Sequence, residues 1–148
     1  ENGNRTGSRS PMQWDDSTNA GFSSAPASDL YIAMDPDKDR PTAKKEMAAP
    51  DSLYHEVKKL IRIRQSHKAL QSRGKITFVY AEKNAYPLAY IREDGDEKIL
   101  VIINAAAEAK TFACDAEPKE AIYNFGAAAE AKNGKITVPA QSAGFYRI

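Results

Sequence analysis

The second half of the chain is a series of short runs rich in β-branched and aromatic residues. Beyond Gly74 the runs recur about every ten residues, and turn sequences such as Asp94-Gly95 and Asn133-Gly134 separate several of them. The runs are KITFVYAE, PLAYIRE, KILVIINA, AKTFACD, EAIYNF, KITVPA and GFYRI. This pattern predicts a mainly β fold, an antiparallel sandwich that occupies residues 74–148.

One amphipathic helix is predicted directly before the strands. Leucine, valine and isoleucine recur at helical spacing across residues 51–73, whereas lysine and arginine occupy the opposite side. Asp51 or Ser52 can cap the start of this helix, and Gly74 is expected to end it. Arg64 falls on the apolar side, where we expect it to tether the helix through buried hydrogen bonds.

Residues 1–50 have neither a helical nor a strand period. They are rich in Gly, Ser, Pro, Asp and Ala, which predicts a long loop. A compact domain seldom contains so long a loop unless the loop is functional or lies on another body. Because the sequence also begins with Glu1 and not with methionine, we expect it to be part of a longer protein.

Composition narrows the classes of partner. The 21 basic residues are balanced by 20 acidic ones, which argues against a nucleic-acid partner or an acidic membrane surface. No apolar run approaches the ~20 residues that span a bilayer, so no membrane partner is expected. The single cysteine, Cys114, excludes an internal disulfide framework and a multi-cysteine zinc site. We expect no cofactor and no metal.

The residues themselves provide no complete catalytic set. Both histidines, His55 and His67, fall on the predicted helix, which makes a serine or cysteine triad improbable. We expect His55 to be exposed, His67 to pack at the edge of the apolar side, and Cys114 to be a buried, inert thiol. Asp15 and Asp16 are neighbours that point apart in an extended chain, whereas a glycosidase needs two carboxyl groups across one bond.

One segment resembles a calcium-binding loop. Asp35, Asp37, Asp39 and Glu46 occupy the first, third, fifth and twelfth positions of that template. The sixth position requires a sharp turn that glycine usually makes, and here it is Arg40, followed by proline. The segment is therefore predicted to be an acidic surface loop.

The most specific pattern is SRSPMQWDDSTNAGF at residues 8–22. It closely resembles a segment of glycoside hydrolase family 13, the α-amylase family, in its α-glucosidase and oligo-1,6-glucosidase branch. There the pattern is Arg-Thr/Ser-Pro-Met-Gln-Trp-Asp, followed by Asn-Ala-Gly-Phe. PDSLYHEVKKLIRIRQSHKAL is similar to the last barrel helix of these enzymes, and the strands ending in PAQSAGFYRI are similar to their C-terminal β-sandwich. The resemblance covers essentially all 148 residues.

The resemblance implies a division into three segments of a larger enzyme. In the family, a (β/α)8 barrel carries the active site on loops that follow its strands. Residues 1–50 would be the last barrel loop, residues 51–73 the last barrel helix and residues 74–148 the C-terminal β-sandwich. The catalytic aspartate and glutamate residues of the family lie on earlier strands. The missing barrel is thus the expected partner, and this chain alone is expected to be inactive and to self-associate.

The resemblance also implies a function for the parent enzyme. It would be a retaining, α-glucosidase-like glycoside hydrolase, bacterial and cytoplasmic, acting on short α-glucosidic oligosaccharides. Arg9 matches the arginine that binds the non-reducing glucosyl unit, whereas Arg5 lies outside the motif and should tolerate substitution. We expect Trp14 to anchor the loop through its indole N–H, and Phe22 and Tyr31 to pack against the barrel.

Two alternatives remain open at this point. The parent could be a transglycosylating or isomerising relative, such as a trehalose synthase. The chain could also be a free-standing carbohydrate-binding or interaction module. A binding module would carry a row of exposed aromatic residues on the sandwich, whereas the enzyme hypothesis places these residues in the core.

The alternation of each strand predicts which residues form the core. Val101 and Ile103 belong to a continuous apolar run, so their strand can be buried on both faces. The other expected core residues are Phe78, Tyr80, Leu88, Tyr90, Leu100, Ile102, Phe112, Ile122, Ile136, Val138 and Phe145.

Overall fold

A computed structural model describes residues 9–148 and divides the chain into two compact units. The boundary falls between Leu60 and Ile61, within a helix. The division into segments at residues 50 and 73 within a parent enzyme stays a prediction, and Arg5 lies outside the described residues. No helix of residues 9–148 is long and apolar enough to cross a lipid bilayer.

The first unit contains a short helix in the segment that was predicted to be loop. Helix α1 spans Ala43–Ala48, and the buried side chain of Thr42 accepts a hydrogen bond from the backbone N–H of Lys45 at 3.2 Å. The sequence TAKKEMA places a capping residue before good helix formers. Its six helical residues were too few to stand out from the loop-like composition around them.

Helix α2 spans Leu53–Ser66, so it lies where expected but ends earlier. It does not continue to Gly74, because His67 has an extended backbone and its ring binds the carboxylate of Glu97. A short 3-10 turn at Lys68–Leu70 follows.

Gly74 has a different role from the predicted one. A β-carbon at this position would lie 2.2 Å from the carbonyl oxygen of Ala69, so only glycine permits this close approach. Arg64 is exposed, and the described residues include no hydrogen bond from its side chain. The predicted tether of the helix by Arg64 is therefore wrong. Arg92 instead bonds the segment after the helix, because its guanidinium donates to the carbonyl oxygens of Gln71 at 2.6 Å and Gly74 at 3.1 Å.

The second unit is an antiparallel β-sandwich, which confirms the predicted fold class. Its strands are β1 Lys75–Tyr80, β2 Leu88–Asp94, β3 Glu97–Asn104, β4 Lys110–Ala113, β5 Glu120–Phe125, β6 Glu130–Lys132, β7 Lys135–Val138 and β8 Ser142–Arg147. One sheet has the order β1-β2-β3-β8-β5 and the other β4-β7-β6. Seven strands match the seven predicted runs, and only the short β6 was not expected.

Both predicted turn sequences lie at tight turns. Asn133 and Gly134 have φ angles of 52° and 69° and join β6 to β7. Positive φ at both central positions is what a type I′ hairpin requires. Gly95, with φ of 58°, begins the two-residue turn between β2 and β3.

The main core lies between the two sheets. The larger sheet contributes an inner face on which Leu100 and Ile102 are fully buried. The buried residues of this core are Ala89, Leu100, Ile102, Phe112, Cys114, Ile136, Val138 and Tyr146. The outer face of the larger sheet forms a second cluster, in which Ile99 and Val101 pack with Ala69 of the 3-10 turn. Strand β3 is therefore buried on both faces, as its continuous apolar run indicated.

Some of the predicted core positions were wrong. Phe78 is 59% exposed, and Tyr90 and Phe145 are half-buried on the outer face. Alternation could not choose between Phe145 and Tyr146, since the two are adjacent and both aromatic. Tyr146 takes the inner position, where its hydroxyl donates to Asn124 Oδ1 at 2.7 Å and accepts from the N–H of Ala129 at 3.0 Å.

Candidate functional site

Arg9 lies in the segment of residues 9–22, which we call the Arg9 loop. Arg9 and Ser10 are exposed, whereas Pro11 directly after them is buried. No hydrogen bond or ion pair connects Arg9 to another residue within 9–148. The guanidinium of Arg9 thus has no hydrogen-bond partner among the described residues. Its planar set of N–H donors can donate to hydroxyl or carboxylate oxygens.

The centre of the Arg9 loop folds around the carbonyl group of Ala20. The backbone N–H groups of Trp14 and Asp15 donate to this oxygen at 2.8 Å and 3.2 Å. Asn19, Ala20 and Gly21 all have positive φ, at 50°, 52° and 72°. Asparagine and glycine tolerate this region well, and a β-carbon on Gly21 would lie only 2.9 Å from Asp15 Oδ1. The Asn-Ala-Gly sequence therefore sets the turn.

Side chains stabilise the same turn. Asn19 Nδ2 donates to the carbonyl oxygens of Ser23 at 2.9 Å and Ala25 at 2.7 Å. Asp15 Oδ1 accepts hydrogen bonds from the hydroxyl and the backbone N–H of Ser17. These two bonds, together with the charge of Lys44, hold the pKa of Asp15 below its usual value in spite of its partial desolvation. Asp15 is therefore ionised and structural at neutral pH.

Helix α1 holds the Arg9 loop through its first N–H groups. The N–H of Ala43 donates to the carbonyl oxygen of Gln13, and that of Lys44 donates to the carbonyl oxygen of Trp14, both at 2.9 Å. The first N–H groups of a helix have no partner within the helix, so the loop satisfies donors that would otherwise be left open. Asp16 pairs with Lys45 at 3.1 Å, which gives the neighbouring aspartates separate partners.

Large apolar side chains of this unit remain in solvent. Met12 is 50% exposed, Trp14 51%, Phe22 49% and Tyr31 82%. Trp14 is anchored by its backbone, since no hydrogen bond from its indole N–H occurs among the described residues. The roles of Phe22 and Tyr31 against a barrel stay predictions. Gln13 Oε1 is buried and has no hydrogen-bond partner within the described residues.

In the segment that resembles a calcium loop, an arginine side chain contacts the carbonyl groups. Arg40 donates from Nη1 to the carbonyl oxygens of Asp37 at 2.9 Å and Asp35 at 3.4 Å. Asp35 and Asp37 each accept a backbone N–H two residues ahead. No group of three or more acidic, histidine or cysteine side chains in residues 9–148 is arranged to hold a metal ion.

The two histidines and the cysteine have structural contacts. His67 is mostly buried and binds Glu97 at 2.6 Å, which agrees with the packed histidine that was predicted. His55, which was predicted to be exposed, is half-buried, and its Nε2 donates to the carbonyl oxygen of Met47 at 3.0 Å. Cys114 is buried, as predicted, and burial raises the pKa of its thiol, so little of it is the reactive thiolate.

Relatives of this chain include proteins named as glucosidases. The model of the alpha-amylase catalytic domain matches residues 1–73. Glucan 1,6-alpha-glucosidase from Streptococcus pneumoniae is 30% identical over 135 residues, which are 91% of this chain and 24% of that enzyme. Oligo-1,6-glucosidase from Parageobacillus thermoglucosidasius is 34% identical over 108 residues, which are 73% of this chain and 18% of that enzyme.

Solved structures agree with the sequence relatives. The crystal structure of trehalulose synthase MutB from Pseudomonas mesoacidophila MX-45 matches with a TM-score of 0.79 and 30% identity, covering 97% of this chain and 26% of that chain. A MutB mutant in complex with its substrate sucrose matches with a TM-score of 0.80. This chain therefore spans about a quarter or less of the length of the relatives that it matches.

The family model, the sequence relatives and the solved structures place the chain among the glycoside hydrolases. The chain belongs to the α-amylase family, glycoside hydrolase family 13. The resemblance predicted from the SPMQWD and NAGF residues is thereby confirmed.

Residue-level reasoning missed the elements that hold the loop. Thr42 and helix α1 were absent from the predicted site, although a threonine followed by AKKEMA is a recognisable helix start. Asn19 was seen only as part of a motif. Its side chain and its left-handed backbone make it a turn-forming residue, which the adjacent glycine could have indicated.

Proposed function

We propose that this chain is the C-terminal part of an α-glucosidase-like retaining glycoside hydrolase that acts on short α-glucosidic oligosaccharides. The observation that carries the proposal is the ordered Arg9 loop, which is fixed at Trp14 and Ala20 and leaves the Arg9 side chain exposed. The names of two relatives, a glucan 1,6-alpha-glucosidase and an oligo-1,6-glucosidase, support this substrate class.

In this proposal Arg9 binds the non-reducing glucosyl unit of the substrate. A guanidinium can serve two neighbouring sugar hydroxyls, or one hydroxyl and a carboxylate, because its donors lie in one plane. Arg9 has no described partner with which a sugar would compete. The buried Pro11, two residues after Arg9, limits the backbone freedom of the segment. This keeps the guanidinium of Arg9 close to one position.

The rest of the enzyme supplies the chemistry in this proposal. A (β/α)8 barrel is the partner and provides the nucleophilic and acid/base carboxyl groups, whereas this chain contributes the last barrel loop, the last barrel helix and the sandwich. The coverage of at most 26% of the compared relatives is compatible with such a part. A cytoplasmic location of the bacterial enzyme belongs to the same proposal.

Replacement of Arg9 tests the proposal in the full-length protein. Arg9→Ala should lower kcat/KM for p-nitrophenyl α-glucoside by about ten- to a hundredfold, since a charge-assisted hydrogen bond to the sugar is lost. The thermal midpoint should stay unchanged, because Arg9 is exposed and makes no hydrogen bond or ion pair among the described residues. Steady-state kinetics and differential scanning calorimetry provide the two measurements.

Two other arginines are controls for this experiment. Arg62→Ala alters an exposed residue of helix α2, and Arg5→Ala alters a position outside the motif and outside the described residues. Both enzymes should retain wild-type kinetics. A loss at either control equal to that at Arg9 would remove the subsite assignment.

A transglycosylating or isomerising parent is the second candidate. The observation in its favour is the match to trehalulose synthase structures at TM-scores up to 0.80. Product analysis separates the candidates, since a hydrolase releases glucose from sucrose or isomaltose and an isomerase releases a second disaccharide. If the isomeric disaccharide dominates, the enzyme is the transferring relative.

A free-standing carbohydrate-binding module has less support. Phe78 and Phe125 are both more than half exposed, but they lie on opposite edge strands of the larger sheet. Four strand spacings separate them, roughly 19 Å, and the residues between them are half-buried or buried. They do not form a continuous platform for a sugar chain. Tight binding of oligosaccharides to the isolated chain would nevertheless favour the module over the enzyme.

A further inference from the structure

Helix α1, which lies outside the motif of residues 8–22, holds the Arg9 loop through two backbone hydrogen bonds. The loop backbone at Gln13 and Trp14 accepts the two N–H bonds from Ala43 and Lys44, each 2.9 Å long. These bonds are made only if the first turn of α1 is formed and its N–H groups point outward along the helix axis. The position of the loop thus depends on the start of a helix some thirty residues further along the chain.

Thr42 fixes where that helix starts. Its side chain is 1% exposed, and Thr42 Oγ1 accepts the N–H of Lys45 at 3.2 Å while its carbonyl oxygen accepts the N–H of Glu46 at 2.9 Å. Its backbone is extended, with φ of −127° and ψ of 151°, so it is the last residue before the helical path. A capping hydroxyl of this kind stabilises a short helix that could not form by itself.

We propose that Thr42 is a positioning residue for substrate binding, which acts through helix α1 on the Arg9 loop. The inference rests on the proposed function, because it assumes that Arg9 binds the glucosyl unit. Loss of the cap frees the N–H donors of Ala43 and Lys44 from their fixed direction. The loop at Gln13 and Trp14 then loses both of its attachments, and Arg9, four residues before Gln13, loses its defined place.

Two substitutions in the full-length protein test the inference. Thr42→Val removes the hydroxyl but keeps the shape of the side chain. Ala43→Pro removes the N–H that the Gln13 carbonyl oxygen accepts and places the ring Cδ toward that oxygen, so it displaces the loop. The helix itself tolerates the change, since proline is favoured at the first helical position and the extended backbone of Thr42 suits a following proline. With p-nitrophenyl α-glucoside, both should raise KM by about three- to tenfold while kcat changes less than about twofold.

Three controls make the outcome decisive. Thr42→Ser retains the capping oxygen and should restore KM to within about twofold of the wild type. Thr111→Val removes a hydroxyl bonded to Thr137 Oγ1 at 2.9 Å in the sandwich, and it should leave KM unchanged. Arg9→Ala must itself impair the enzyme, because otherwise the proposed function fails and not only this inference.

The contrary results are equally specific. If the Arg9→Ala enzyme has a lower kcat/KM but the Ala43→Pro enzyme has the KM of the wild type, Thr42 and α1 do not position the loop. If Thr42→Val lowers the thermal midpoint without changing KM, its role is stability alone. If Thr42→Val does not fold, Ala43→Pro still decides the question, since it leaves the cap intact.

Discussion

Glu97, at the start of strand β3, binds the segment that directly follows helix α2. Its Oε1 accepts from His67 Nδ1 at 2.6 Å, and its Oε2 accepts from the N–H of Ala69 at 2.9 Å. Arg147 lies 3.9 Å from Oε1 and itself pairs with Glu120 at 3.1 Å. Burial tends to raise the pKa of Glu97, but these hydrogen bonds and charges outweigh it and hold the pKa below its usual value.

The lowered pKa predicts how stability depends on pH. A carboxylate whose pKa is lower in the folded state stabilises the fold above its unfolded pKa, and this stabilisation is lost as the pH falls through the folded pKa. Glu97→Gln should therefore lower the free energy of unfolding by about 1–2 kcal/mol at pH 7. The difference from the wild type should shrink as the pH falls through the lowered pKa of Glu97, because the protonated carboxyl and the amide are both uncharged. Urea unfolding followed by circular dichroism at pH 7 and at a series of lower pH values is the measurement.

Glu108 is the matched control for this prediction. Its carboxylate is exposed and pairs with Lys110 two residues away, and that pairing also holds its pKa below the usual value. Because water competes for an exposed pair, Glu108→Gln should have little effect at any of these pH values. If the cost of Glu97→Gln does not shrink as the pH falls through the lowered pKa of Glu97, the ionised carboxylate is not the source of the stabilisation.

At the residue scale, the sequence could not have revealed these contacts. Glu97 and His67 are thirty positions apart, and nothing in a glutamate within DGDEK distinguishes it from any other surface acid. The same holds for Thr42, whose partners at the Arg9 loop are brought near only by folding. Arg9 could be named because a motif of some fifteen residues surrounds it, and its role still comes from the resemblance alone.

At the scale of elements, the local sequence pattern was sufficient to predict the strands but not which face of each strand is buried. The presence of each strand could be predicted from the alternation of apolar and polar residues and from the turn residues, because both signals involve only a few neighbouring positions. The choice of inner face depends on pairing between strands, since Ala89 lies opposite Ile102 and Tyr90 lies opposite Val101. In β8, apolar side chains occur at both odd and even positions, so alternation does not show which of them face the core. Packing against the other sheet decides this.

The burial difference between Ile102 and Phe78 gives a direct test of this arrangement. Ile102 is fully buried between the sheets, so Ile102→Ala should cost about 2–5 kcal/mol of unfolding free energy. Phe78 is 59% exposed at edge strand β1, and Phe78→Ala should cost less than about 1 kcal/mol. Chemical unfolding at low protein concentration measures both. A larger cost at Phe78 would mean that its strand packs with the inner face and that the sheet register is different.

At the scale of the whole molecule, the described residues expose more large apolar surface than a self-sufficient domain needs. Helix α2 contains no buried residue, and Leu53 and Val57 on its apolar side are 73% and 45% exposed. Trp14 and Tyr31 of the first unit are exposed as well. Large apolar side chains left in water favour contact with another protein surface. The proposal of a missing barrel accounts for this exposure.

The proposal predicts that the isolated chain is inactive and self-associates. It should not hydrolyse p-nitrophenyl α-glucoside, because the catalytic carboxyl groups belong to the barrel in the proposed parent. Its sedimentation coefficient should rise with concentration, since association covers the apolar side of α2. Hydrogen exchange in residues 9–50 should be fast at concentrations at which the chain is a monomer, except at the amides of α1 and at those of Trp14 and Asp15, which donate to the Ala20 carbonyl oxygen.

Two glutamate substitutions on helix α2 separate apolar association from charge effects. Val57→Glu places a carboxylate on the exposed apolar side, so it should move association to higher concentration, whereas Gln65→Glu adds the same charge elsewhere on the helix and should not. Sedimentation velocity of the two variants and of the wild type measures the association. The two variants have the same net charge, so a difference between them reflects the apolar side of the helix. Slow hydrogen exchange throughout residues 9–50 in a proven monomer would contradict the proposal, because these residues would then form a complete domain with the sandwich. Hydrolysis of the glucoside by the purified chain, with a loss of that activity in Arg9→Ala, would also contradict the proposal, because the catalytic groups would then lie within this chain.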